Sequence, residues 1–119
     1  MRDVNILKLN EIDVDGSLNL LGDMEMYDET LNDFIEGIDR KKELLKKYKE
    51  AVDMPNYAIY AHSVKSDSRY LGFKKLHDIA FEHEMKAKAS DSIFILSDYD
   101  NLIAAIDETV KIVNIYLNN

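Results

Sequence analysis

The 119-residue sequence predicts an all-α fold, an antiparallel up-down-up-down four-helix bundle with an additional short N-terminal helix. Three observations carry this prediction. Apolar residues recur at spacings of three and four over long stretches, as they do in helices with one buried stripe. The chain is 46% hydrophobic and 32% charged with one Pro and four Gly, the composition of a globular helical protein and not of a disordered tail. Aspartates stand just ahead of the periodic stretches, where a short carboxylate accepts from the free amides of a first helical turn.

Residues 1–12 have mixed character and no sustained period, so they are expected to form a leader or the stub of a linker, with the domain proper spanning 13–119. A short helix is expected from Gly16 to Leu21, broken by Gly22, with Asp23 capping the next helix. From Met24 to about Val52, residues Tyr27, Leu31, Phe34, Ile38, Leu45, Tyr48 and Val52 fall on one stripe. Gly37 costs about 1 kcal/mol there relative to Ala, but the pattern resumes on both sides and one helix is expected. Asp53 and Pro55 suit a second helix start, and Gly72 suits its stop after Leu71 because glycine adopts the left-handed conformation other residues avoid. A third helix covers Phe73 to about Ala89, with Phe73, Leu76, Ala80, His83 and Ala87 on one face, His83 standing where an apolar residue is expected. Asp91 caps the last helix, in which Tyr99, Leu102, Ile106, Val110, Val113 and Leu117 repeat almost to the terminus. Connections of a few residues make the neighbours antiparallel.

Several function classes are disfavoured by composition. The chain has no cysteine, so no disulfide framework or thiolate metal site holds it together, and a reducing cytoplasm fits best. A formal charge of −8 disfavours nucleic acid or anionic lipid as a general partner and leaves a protein partner as the expectation. The longest apolar runs, such as Ile93 to Leu96, fall far short of the roughly 20 residues of a membrane helix. No basic stretch followed by an apolar core opens the chain, so a cleaved secretion signal is not expected. The lysines at 41, 42, 46, 47 and 49 are interrupted by Glu43 and Glu50 and read as a solvated face. His77 and His83 lie near Asp78, Glu82 and Glu84, but without a His pair at i, i+4 or a Glu-x-x-His motif, so no metal site is expected. No glycine-rich phosphate loop is present, and no nucleotide or other cofactor is expected.

The second long helix contains the chain's distinctive run, YAHSVKSDSRYLG. Projected at about 100° per residue, Tyr57, Ala61, Val64, Ser68 and Leu71 share the buried side, while His62, Lys65, Ser66 and Arg69 share the opposite one with Ala58 and Ile59. An exposed imidazole thus stands between two cations. Neutral imidazole is nucleophilic near neutral pH and nearby cations stabilise an added phosphoryl charge, so the pattern suits phosphoryl transfer. Small side chains at Ala58 and Ser66 leave room for another protein's active site. An ordinary surface histidine beside a lysine gives the same pattern, and the residues alone leave both readings open.

From Asp13 onward the sequence resembles the histidine-containing phosphotransfer (HPt) family. The family's His, Lys three residues on, adjacent small residue and Gly ten residues past the His are matched by His62, Lys65, Ser66 and Gly72. Its lead-in resembles Leu21, Gly22, Asp23 and Tyr27, its helix-facing Phe is matched by Phe34, and its downstream Leu and Glu or Gln by Leu76 and Glu84. Two positions depart: Ser66 stands where Gly is usual, and His83 where Leu is usual. The resemblance implies that His62 is the phosphoacceptor and that Lys65 supplies charge stabilisation. It also implies that Glu84 accepts from Nδ1–H and leaves Nε2 to attack. The chain is then a phosphoryl carrier in a two-component phosphorelay, shuttling between receiver-domain aspartates or from a sensor histidine kinase, with magnesium and transfer chemistry supplied by the partner. Docking is expected through Ala58, Ile59, Ser66, Arg69, Gly72 and Phe81, with Lys65, Arg69, Lys74 and Lys75 facing an acidic partner pocket. A monomer is expected. The alternative is a bundle of the same kind that binds a receiver or another protein without accepting phosphate.

Overall fold

The computed structural model describes residues 2–119 and is all-helical. Six helices follow one another: α1 (Asn5–Lys8), α2 (Val14–Leu21), α3 (Met24–Glu50), α4 (Met54–Leu71), α5 (Lys74–Lys88) and α6 (Ser92–Leu117). Four of the starts are set by aspartates. Asp13, Asp23, Asp53 and Asp91 accept from the amides of Gly16, Met26, Asn56 and Phe94, each cap worth about 1 kcal/mol. α3 has 27 residues and α6 has 26, so each runs about 40 Å at 1.5 Å per residue. They span most of the molecule's 45 Å length.

The four long helices pack in chain order, α4 most extensively on α5, and α6 returns to α3. α2 lies against α3 and α4, and α1 against α6. The apolar stripes of α4 and α5 are buried as their spacing requires, Tyr57, Ala61, Val64 and Leu71 facing Leu76, Ala80 and Ala87 across the core. Among the described residues no helix is long and apolar enough to cross a membrane.

Two expectations change. α3 ends at Glu50, and Val52, expected on the buried stripe, is exposed with a left-handed φ of 51° as the chain turns toward α4. The segment 1–12, expected as a leader or linker stub, carries α1, and Leu7 is fully buried. Arg2 donates to the Leu117 carbonyl and pairs with Asp28, tying the segment to both α6 and α3.

The turn between α4 and α5 is gathered at Gly72. Asp13 N–H donates to the Gly72 carbonyl at 2.9 Å, and Ile12 forms an isolated antiparallel bridge with Phe73. The Tyr27 hydroxyl donates to the Leu71 carbonyl at 2.8 Å, filling an acceptor that the helix end leaves open, and the Phe34 ring meets Phe73 edge-on at 5.2 Å. This junction sets the register of α5 against α4.

Candidate functional site

That register builds the site. His62 lies ten residues before Gly72 and Glu84 twelve after it. Two helices folding back on each other from one turn bring positions at nearly equal rise into contact. His62 Nδ1 lies 2.8 Å from Glu84 Oε2. A carboxylate only accepts, so Nδ1 carries the proton and donates, and in the neutral ring Nε2 keeps its lone pair. The His62 side chain is 55% exposed, whereas that of Glu84 is 2% exposed.

A buried carboxylate needs compensation. Lys65 Nζ lies 2.7 Å from Oε1 and Lys88 Nζ lies 2.9 Å from Oε2. The Lys65 ammonium therefore sits at salt-bridge distance on Oε1 and compensates the buried charge directly. Desolvation pushes the Glu84 carboxyl up, but Lys65, Lys88 and the imidazole together hold it down at about 2. Glu84 is therefore ionised at neutral pH and keeps the imidazole in one tautomer.

Lys65 departs from its expected place on the open face. Its side chain is only 20% exposed, turned onto Glu84 with Nζ 5.4 Å from the Phe81 ring centroid. Lys88 is the functional candidate that sequence reasoning missed. Its signal was the Glu84–Lys88 spacing of i, i+4 on one helix, acid first, the favourable order for such pairs.

Of the expected docking residues, Ile59, Arg69 and Phe81 are exposed and Ser66 is partly exposed. Ala58 and Gly72 are buried. Ala58 falls next to Tyr57 on the helix and sits against the core, and Gly72 is covered by the Asp13 backbone, so neither offers a side chain to the surface. Ala58 does floor a concavity of about 490 Å³ shared with Ile59, His62, Glu84 and Lys88. Met85, which the sequence did not single out, is exposed one turn beyond Phe81 on α5. Of the cations expected to face a partner, Lys75 pairs with Glu108 and Lys74 lies 4.0 Å from Asp13. Arg69 makes no ion pair among the described residues.

The other two histidines have separate duties. His83 is fully buried; the Tyr57 hydroxyl donates to its Nδ1 at 2.8 Å and its Nε2–H donates to Asp98 at 3.0 Å. The imidazole in the apolar stripe is thereby satisfied at both nitrogens. His77 bonds Asp78 and stacks on Phe81. The site thus offers an exposed imidazole whose Nε2 meets only the Ser66 hydroxyl among the described residues, at a long 3.4 Å, backed by a fixed negative charge that can balance positive charge developing on the ring. A scan against protein-family models and searches of curated proteins and of solved structures each find no match for this chain.

Proposed function

We propose that the chain is a histidine phosphotransfer domain, its four long helices forming an up-down-up-down bundle that carries a phosphoryl group on His62 Nε2. The observation that carries this reading is the pairing of an exposed imidazole with a buried, ionised Glu84 through Nδ1. In the proposed step the Nε2 lone pair attacks phosphorus, the bond from phosphorus to the partner's aspartyl oxygen breaks, and the carboxylate leaves with the electron pair. The ring gains positive charge while Nδ1 keeps its proton, and Glu84 balances that charge. Return transfer reverses each bond change.

The partner in this reading is a receiver domain or a sensor kinase. Ile59, Phe81 and Met85 supply apolar contact around the imidazole, and Arg69 supplies a cation for an acidic receiver pocket. Lys65 acts through Glu84, holding it ionised and in place.

Incubation with a radiolabelled phosphoreceiver tests the proposal. The parent chain takes acid-labile, alkali-stable label, and His62→Gln takes none while keeping its helical circular dichroism. Label retained in His62→Gln, or a parent that binds receivers without accepting label, overturns the phosphotransfer reading. The second outcome leaves a docking module.

A further inference from the structure

We infer that the Ser66 hydroxyl is a hydrogen-bond donor to the phosphoryl group on His62 Nε2, an inference that rests on the phosphotransfer reading. Ser66 lies one turn beyond His62 on α4, and its Oγ is 3.4 Å from Nε2, the nitrogen that Glu84 leaves open. What sets this hydroxyl apart is its direction. Thr30, Ser68 and Thr109 each turn their hydroxyls back onto the carbonyl four residues earlier, at 2.8 Å. That is the usual resting place of a helical hydroxyl. Ser66 instead points at the imidazole, and Nε2 is its hydrogen-bond partner.

The contact is long for a hydrogen bond, as suits a space that a larger group enters. Bonding phosphorus to Nε2 removes the lone pair that Ser66 faces and puts charged oxygens around it. A change of χ1 between staggered wells then lets the hydroxyl donate to one of those oxygens. Lys65, the nearest cation in sequence, is occupied by Glu84, so the hydroxyl meets the phosphoryl group from α4 itself. The side chain that stands where glycine is usual thus becomes a donor.

Potassium phosphoramidate is the probe, because it phosphorylates imidazole without a partner protein. Nε2 attacks phosphorus, the phosphorus–nitrogen bond of the reagent breaks, and ammonia leaves after taking a proton from solvent. The ³¹P resonance of His62, assigned by its loss in His62→Gln, is followed against pH in the parent and in Ser66→Ala, Ser66→Gly and Ser66→Thr. A donated hydrogen bond favours the doubly charged phosphoryl group. Its titration midpoint is therefore expected to rise by about half a pH unit in the Ala and Gly variants and to return in Thr. Superimposable curves for the parent and Ser66→Ala overturn the inference, as does a parent that gives no His62 resonance. A parent that shows the shift but takes no label from a phosphoreceiver keeps the hydroxyl contact and overturns the phosphotransfer reading instead.

Discussion

Glu84 Oε2 accepts from His62 Nδ1 at 2.8 Å, so a carboxylate hidden in the helix interface holds an imidazole that stands in solvent. The burial of one partner and the exposure of the other are both needed: the first keeps the charge fixed, the second leaves Nε2 accessible. Glu84→Gln retains an acceptor for Nδ1–H but loses the charge. Receiver-to-His62 transfer is expected to fall by about 10- to 100-fold in this variant, with the fold kept. The pH dependence of stability gives a second measure. Folding holds the Glu84 carboxyl at about 2 against an ordinary 4.5, so its stabilisation is complete above pH 4.5 and is lost as pH falls toward 2. Urea midpoints measured through that window should drop less in Glu84→Gln than in the parent. Equal drops and undiminished transfer would count against the role assigned to Glu84.

Three helix starts and the stop of α4 were legible in the sequence, because a capping aspartate and a left-handed glycine are local signals, whereas the His62–Glu84 pairing was expected only from the resemblance to the HPt family. Asp23, Asp53 and Asp91 cap as expected, and Gly72 stops α4 in the left-handed conformation. Side-chain direction was not legible. A helical projection places Lys65 beside His62 but does not show its long, flexible chain bending onto a buried carboxylate supplied by another helix. Ala58 failed for a related reason, since a boundary position next to Tyr57 is buried or exposed according to how closely α5 approaches. α1 carries too few residues for a period, and Leu7 is buried by tertiary contact alone. Val52 continued the stripe on paper, but the helix had already ended at Glu50.

His83 makes a separate pH response. Desolvation lowers its pKa below the ordinary imidazole value; Asp98 and Glu82 oppose that shift without overcoming it, while Tyr57 and Phe94 close the remaining sides. The buried ring therefore resists protonation, and the stability it supports is complete above about pH 6.5 and declines as pH falls below that value. Urea unfolding near pH 7.5 and near pH 5.5 should show the parent losing stability at the lower pH, with His83→Leu losing less. The variant should also cost about 1–2 kcal/mol at the higher pH, because the Tyr57 hydroxyl loses its acceptor, and adding Tyr57→Phe should recover part of that cost. A parent whose midpoint does not move between the two pH values would remove His83 as the source.

Gly72 is the position at which a role in folding and a role in docking make opposite forecasts. Its φ is +80°, and a Cβ built there would lie 2.4 Å from the Asp13 carbonyl oxygen. That oxygen belongs to backbone already fixed by the Asp13–Gly72 hydrogen bond and the Ile12–Phe73 bridge, so it has little freedom to retreat. Gly72→Ala is expected to destabilise the chain by about 2–4 kcal/mol, conformational strain plus steric conflict. Gly22 is the control: its φ is +98°, but no atom lies within 4 Å of its would-be Cβ, so Gly22→Ala should cost about 1 kcal/mol from strain alone. His62 and Glu84 lie about 15 Å and 18 Å along their helices from Gly72, far enough that the folded fraction of Gly72→Ala should accept label at the parental rate. Unfolding midpoints and transfer rates measured on the same preparations separate the two roles. If Gly72→Ala is as stable as the parent yet transfers poorly, Gly72 belongs to the docking surface after all. If it is destabilised but reactive, its place is at the junction where the α1–α2 connection closes over the turn between α4 and α5.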